Sequence, residues 1–248
     1  MIIQRKILRN TLFIDIETVS ATAHYEEMPD EMQLLWMKKS QKFKKDKERE
    51  MTPALAAGFY RAKAGIFAEF AKVACITVGY LSNDKGEETS LRLKSFSGDE
   101  KEVLIEFNDL LNTHYDRIDE HYLCGHNIKE FDVPFLCRRS VIHGLDLPRL
   151  LNISGKKPWQ VGHFLDTMEL WRFGDYKNYT SLALIAGTLG IPSPKDDIDG
   201  SMVGHVYWEE DDIERIITYC EKDVVTVAQV AMKFAGMDLI KEDRVEVV

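Results

Sequence analysis

The order of apolar and polar positions predicts a strand first. Thr11-Leu12-Phe13-Ile14-Asp15-Ile16 is a short, β-branched apolar run, the pattern of a buried strand. Val73 to Leu81 repeats that character. Asn83-Asp84-Lys85-Gly86 then predicts a turn into a weaker strand near Ser90 to Phe96, so the pair reads as an antiparallel hairpin. Beyond it the period changes. Ser97-Gly98-Asp99-Glu100 has capping-box spacing, and Val103, Leu104, Phe107, Leu110 and Leu111 give the following helix one apolar face. His121 to Gly125 predicts another short strand. A helix from about Val133 to Ile142 follows it, with Pro134 in its first turn and Gly144 past its end. Then come a strand at Gly162 to Leu165, a short helix from Ser181 to Leu189 stopped by Gly190 and Pro192, and a long helix from Glu209 to Ala231. A meander of strands followed by alternating helices and strands predicts an α/β fold, a mixed sheet flanked by helices.

Residues 20 to 70 interrupt this order. They hold Pro29, a helical pattern around Leu34, Leu35 and Met37, a basic run from Lys38 to Arg49, and an Ala-rich segment from Ala54 to Ala71. The stretch is too apolar, and too free of Gly and Ser, to be a linker, so it reads as a helical insertion after the first strand. With no internal repeat and no domain-splitting linker, residues 1–248 are expected to form a single domain.

Composition narrows the class. At 248 residues and 45% hydrophobic, the chain has ample length for a core. No apolar run approaches the roughly 18 residues a membrane span needs, and the first one leads into Asp15 and Glu17 rather than a small-residue cleavage site. Neither a spanning helix nor a secretory leader is expected. Cys75, Cys124, Cys137 and Cys220 stand far apart in apolar stretches without a CxxC pair, which predicts buried thiols in a reduced, cytoplasmic protein. A net charge of -9 argues against a passive nucleic-acid coat, which would need basic patches to displace counterions. An enzyme that holds cations in a carboxylate cluster remains compatible with it.

Three groups of residues carry candidate chemistry. In Asp15-Ile16-Glu17, strand geometry points both carboxylates to one face while Leu12, Ile14 and Ile16 face the other. Such a pair is costly without a cation, although a solvated strand end gives the same letters. In the second group, Asp132 sits between a strand and a Pro-started helix, where it could simply be an N-cap; that reading leaves Asn127 and Phe131 unexplained. In the third, Tyr219 and Asp223 lie one turn apart on the flank of a helix whose core stripe is Ile213, Ile216, Ile217, Cys220, Val224 and Val227. A packed ring and a solvated acid would look the same. Asp166 is a competing acid at a strand-to-helix junction and reads as structural, because its neighbours offer no substrate-handling group.

Taken together and in this order, the groups resemble the three exonuclease motifs of the DEDD superfamily, in its tyrosine (DEDDy) version, on a ribonuclease H-like fold. Asp15 and Glu17 match DxE, Asn127, Phe131 and Asp132 match NxxxFD, and Tyr219 with Asp223 match YxxxD. The chain is most similar to the stand-alone predicted exonucleases related to the proofreading domain of family B DNA polymerases. The likeness covers most of residues 10 to 230, including Asn178 to Leu182 and Leu189-Gly190-Ile191. The insertion at 20 to 70 and the lack of a polymerase domain depart from it.

The resemblance implies a metal-dependent 3′-to-5′ exonuclease that hydrolyses single-stranded DNA and releases nucleoside monophosphates. Asp15, Glu17, Asp132 and Asp223 would hold two Mg²⁺ or Mn²⁺ ions about 3.5 to 4 Å apart, ions that prefer oxygen ligands. Tyr219 would orient the attacking water, since a phenol with a pKa near 10 is a poor base at neutral pH. Thr18, Asn127 and Phe131 would hold the terminal nucleotides. RNA is the alternative substrate, and a catalytically silent nucleic-acid-binding scaffold the alternative class. The complete acidic set argues against the scaffold. A polymerase or repair partner in trans would supply the substrate.

Other residues read as structural. His126 is expected to be a polar strand-end residue, because the tyrosine arrangement leaves no vacancy for a catalytic His. Trp36, Trp159, Trp171 and Trp208 are expected to be core or interface anchors rather than base-stacking platforms. The run containing Lys38, Lys39, Lys42, Lys44, Lys45, Lys47 and Arg49 is either a solvated helix face or a guide for the strand.

Overall fold

A computed structural model describes residues 2–47, 50–82, 89–192 and 197–248. The turn expected at Asn83 to Gly86 lies outside the described residues, as does Arg49 at the end of the basic run. After one helical turn, α1 (Arg5–Leu8), the chain enters β1 (Thr11–Ser20), which continues past the apolar run that predicts it. Next come β2 (Ala71–Ser82), β3 (Ser90–Ser97), β4 (Tyr122–Gly125), β5 (Phe164–Asp166) and β6 (Val245–Val247), in the spatial order β5-β4-β1-β2-β3-β6. The β1–β2 and β2–β3 pairs are antiparallel, and β1–β4, β4–β5 and β3–β6 are parallel. β6 has only three residues, too few for a periodic signal.

The helices are α2 (Asp30–Ser40), α3 (Pro53–Lys63), α4 (Glu100–His114), α5 (Asp132–Ile142), α6 (Thr167–Arg172), α7 (Leu182–Thr188), α8 (Val203–His205) and α9 (Ile213–Phe234). Leu12, Ile14 and Ile16 pack into one core with the apolar faces of α4 and α5. Phe13 faces the opposite core, built with Val224, Val227 and Ala231 of α9. β1 is thus buried on both faces, which is why it reads as a nearly continuous apolar run.

Two helix starts differ from the sequence pattern. α9 begins at Ile213 rather than Glu209, because Val206–Glu210 forms a π-helical turn and Asp211 takes a left-handed φ of 53°. Asp212 caps α9 by accepting from the Arg215 amide at 3.1 Å. The cap of α4 is Asp99, which accepts from the Lys101 and Glu102 amides, while Ser97 stays in β3. Glu100 is turned inward instead. Its carboxylate accepts from Arg139 at 2.8 and 2.5 Å and from the Val73 amide at 2.8 Å, and lies 2.7 Å from His143. Burial alone would raise this carboxyl, yet the bonds from Arg139, His143 and Val73 hold it below the usual range. Arg139 also donates to Ala68 at 2.9 Å, so one buried ion pair ties α4, α5, β2 and the exit of the insertion together.

Residues 21–70 build a small core of their own around Trp36, whose ring packs at 5.5 Å from Tyr60 and 5.1 Å from Phe70 and donates to Ala56. The basic run is not one helix face: α2 ends at Ser40, and a 3₁₀ turn, Gln41–Phe43, follows. Two of its ammonium groups lie over an aromatic ring, Lys39 at 4.3 Å and Lys42 at 5.0 Å from the centroid of Phe67.

At the carboxyl end of β4, Gly125 leaves no room for a side chain. A Cβ there would lie 2.9 Å from the Ile14 carbonyl oxygen and 2.2 Å from Ile128 Cγ2. Gly125→Ala should therefore lower stability by about 1–3 kcal/mol, read as a lower urea midpoint at unchanged m. An unchanged midpoint would mean that the strand yields freely at this point.

Candidate active site

The parallel strands β4 and β5 end together at one edge of the sheet, with Asp166 in register with Gly125, while β1 beside β4 runs on to Ser20 and carries Asp15 and Glu17 just past that point. The site lies at this edge, where helices start after parallel strands. A bulge between Glu17 and Thr18 interrupts the β1–β2 ladder just after the two acids. Helix α9 crosses behind, and Asp15, Glu17 and Asp223 bring one carboxylate oxygen each to within 4.8 Å of one another. Asp132 is not within that distance of all three, but its charge acts on Asp15 more strongly than that of Asp223.

Such a cluster resists ionisation. Burial first, then the charges of Asp132 and Asp223, push the Asp15 carboxyl well above its ordinary range. Burial followed by Asp15 does the same to Glu17. Asp132 is pushed up to about 7, chiefly by burial and in part by Asp166, against the lowering effect of its own amide and the Ile16 amide. Asp132 is the first residue of α5 rather than its cap: Phe131 holds the cap position and makes no side-chain capping bond. The simple N-cap reading of Asp132 therefore fails.

One partner of the acids has no signature in the sequence. The Cys220 thiol, on the α9 core stripe, lies 3.3 Å from Asp15 Oδ2 and 3.4 Å from the Asp15 carbonyl oxygen, joining α9 to β1 at the acid itself. No periodicity could distinguish this thiol from an ordinary core position. Tyr219, one residue earlier, is partly buried against the small core that includes Val19 and Cys75.

The second group is held by Asp166. Its carboxylate accepts from the Asn127 amide at 3.0 Å and the Lys129 amide at 3.2 Å, while also capping α6 through the Met168 and Glu169 amides. That structural role is the one its neighbours imply. Asn127 takes a left-handed φ of 63°, which Asn tolerates better than most residues, and its carbonyl accepts from Glu130 and Phe131 to close the turn into α5. Its buried Oδ1 has no hydrogen-bond partner among the described residues. Phe131 packs against Phe135 at 5.5 Å. The Thr18 hydroxyl donates to Gly65 of the insertion at 2.8 Å. His126 is fully engaged, with Nδ1 3.0 Å from the Thr167 hydroxyl and Nε2 3.0 Å from the Thr180 carbonyl, and burial lowers its pKa.

Three tryptophans pack as anchors: Trp36 is fully buried, Trp171 stacks on Phe234 at 6.2 Å, and Trp208 donates to Ser20 at 3.0 Å. Trp159 does not. It is 75% exposed, because the loop between α5 and β5 carries it outside both cores.

Residues 66–243 match the family described as predicted 3′-5′ exonuclease related to the exonuclease domain of PolB. The chain belongs to that family. The matched segment contains the second and third groups and begins after Asp15 and Glu17. Among solved structures, this exonuclease-family chain is similar to the family B DNA polymerase of the hyperthermophilic archaeon Pyrobaculum calidifontis. The TM-score is 0.51 and the identity 18%, over 90% of this chain and 24% of that one. The likeness is one of fold, and the chain spans about a quarter of the polymerase. No curated protein sequence matches significantly. Among the described residues, no helix is long and apolar enough to cross a membrane.

Because the carboxyls of the cluster are raised, the stability that comes from leaving them uncharged is fully present below their unfolded values near 4 and is lost as pH rises toward 7 and above. In EDTA, Asp223→Asn should therefore raise the melting temperature more at pH 8 than at pH 5. The expected difference is about 2–4 °C, corresponding to roughly 1 kcal/mol. Equal shifts at both pH values would show that Asp223 does not repel its neighbours.

Proposed function

We propose that this chain is a divalent-metal-dependent 3′-to-5′ exonuclease of single-stranded nucleic acid, acting on DNA in preference to RNA and releasing nucleoside monophosphates. The observation that carries the reading is the convergence of Asp15, Glu17 and Asp223 within 4.8 Å, with the charge of Asp132 acting on Asp15, in a chain of this family. The donor set is all carboxylate oxygen and its charges repel, which fits hard cations such as Mg²⁺ or Mn²⁺. Asp15, Glu17, Asp132 and Asp223 would hold two of them. When bound, such ions lower the pKa of a water and neutralise charge on a leaving 3′-oxygen.

The remaining tasks fall to this chain's own side chains. Tyr219, one helical turn from Asp223, orients the attacking water through its hydroxyl. A phenol is a poor base at neutral pH, so it positions the water rather than deprotonating it. Asn127, whose buried Oδ1 has no partner among the described residues, would turn its side-chain amide toward a terminal nucleotide. Phe131 supplies a ring face, and Thr18, whose proton goes to Gly65, keeps its oxygen free to accept. The four free cysteines support a reducing, cytoplasmic setting. A polymerase or repair factor acting in trans would generate the ends on which the enzyme works.

Ala at Asp15, Glu17, Asp132 or Asp223 should remove nearly all hydrolysis of 3′-labelled single strands, as should EDTA, while circular dichroism stays that of the parent. Side-by-side digestion of DNA and RNA strands in Mg²⁺ or Mn²⁺ measures the preference. Activity of Asp132→Ala within a few fold of the parent would remove that residue from the ligand set.

Tyr219→Phe should lower kcat by about 10 to 1,000-fold with little change in KM, because the hydroxyl acts on the transition state alone. An unchanged single-turnover rate would return Tyr219 to a packing role.

A further inference from the structure

Away from the carboxylates, a cavity of about 670 Å³ opens at the same edge of the sheet, between the Asn127 turn and α6. Its volume lies within the range of about 300–1,000 Å³ that bound ligands occupy. Asn127 lines it, so it adjoins the second group of site residues directly. Its charge is unusual for a chain of net -9. Lys129, Lys156, Lys157 and Arg172 line it along with Glu130, Asp166 and Glu169. The three acids are already engaged: Asp166 by backbone amides, Glu169 by Lys129 at 2.5 Å, and Glu130 by Arg172 at 3.6 Å. Lys156 and Lys157 have no acidic partner among the described residues and are exposed.

Aromatic rings surround these cations. Tyr176 lines the cavity and is 79% exposed, while the ammonium of Lys157 sits 5.1 Å from the ring centre of the exposed Trp159. The Arg172 guanidinium lies 4.3 Å from the ring centre of Tyr179, which is 66% exposed. Arg172 itself is only 8% exposed, and its Nη2 has no hydrogen-bond partner among the described residues. One cavity is thus lined by two unneutralised lysines and by a guanidinium with an unfilled donor, a charge set that suits an anion. Exposed rings beside it call for flat, sequence-tolerant partners. Phosphodiester and base supply both, and grooves for single strands combine the same two features.

We infer that this cavity receives the single strand upstream of its terminal nucleotides, with bases on Tyr176 and Trp159 and phosphates at Lys156, Lys157 and Arg172. The inference rests on the exonuclease reading and deepens it. It also assigns strand guidance to this surface rather than to the lysines of the insertion, two of which lie over Phe67.

The test is fluorescence anisotropy of a 5′-labelled 20-nucleotide oligo-dT in EDTA over a salt series, with hydrolysis of the 20-mer and a dinucleotide measured in Mg²⁺. The double variant Lys156→Glu/Lys157→Glu should weaken binding at least tenfold and reduce the salt slope by about 0.7 for each phosphate no longer neutralised. Tyr176→Ala should weaken binding roughly 5- to 100-fold with no change in salt slope, the loss expected for one stacked base. In both variants kcat/KM for the 20-mer should fall relative to that for the dinucleotide. A parent that hydrolyses strands, combined with variants that match its affinity and slope, would overturn this inference alone. So would a flattened slope found only in a variant with Glu at Lys42, Lys44, Lys45 and Lys47, which would move the strand to the insertion. A parent that neither binds nor hydrolyses the 20-mer would overturn the exonuclease reading as well.

Discussion

The structure around the middle of β1 depends on keeping like-charged carboxylates together where water is scarce. Asp15, Glu17 and Asp223 approach within 4.8 Å, an arrangement that burial and mutual repulsion both oppose. It persists because the surrounding fold holds it more firmly than the charges push it apart. The sheet fixes the spacing of Asp15 and Glu17, and α9 is anchored along its apolar stripe on the opposite core. The Cys220 thiol and the Ile16 amide meet the carboxylates directly. A site of this kind stores electrostatic strain, which a bound cation would relieve.

A second device holds the neighbouring turn. Asp166 gathers four backbone amides, two from the Asn127 turn and two from α6, so a single buried carboxylate sets the positions of Asn127 and of the cavity wall. The Glu100–Arg139 pair does comparable work where the insertion rejoins the sheet. In each case a charge is buried with its hydrogen-bonding capacity largely filled, the condition under which burial is tolerated. Gly125 stands beside Asp166 in the sheet, where a strand passes too close to Ile14 for any side chain.

The elements built on long apolar periods were legible from the chain alone. β1 and β2 are nearly continuous apolar runs, and α4, α5 and α9 each bury a face whose residues recur at helical period, so their positions follow from the pattern. Boundaries were less so. The start of α9 depends on a π-turn and a left-handed Asp211, and the cap of α4 depends on Glu100 finding Arg139 39 residues away. Local spacing favoured Ser97 and Glu209; the inward pairing of Glu100 overrode the first and the π-turn before Asp211 the second.

The chain's letters determined the identity and order of the acidic groups, because a motif is a local pattern and its residue types are set by the chemistry they can perform. The tertiary structure alone decided how closely those groups approach. It also decided that Cys220 faces Asp15, that Asp166 gathers backbone amides from two elements, and that Trp159 points to solvent. Each of these is a relation between elements far apart in the chain. Distance and desolvation act between atoms in space, and neither leaves a periodic signature in sequence.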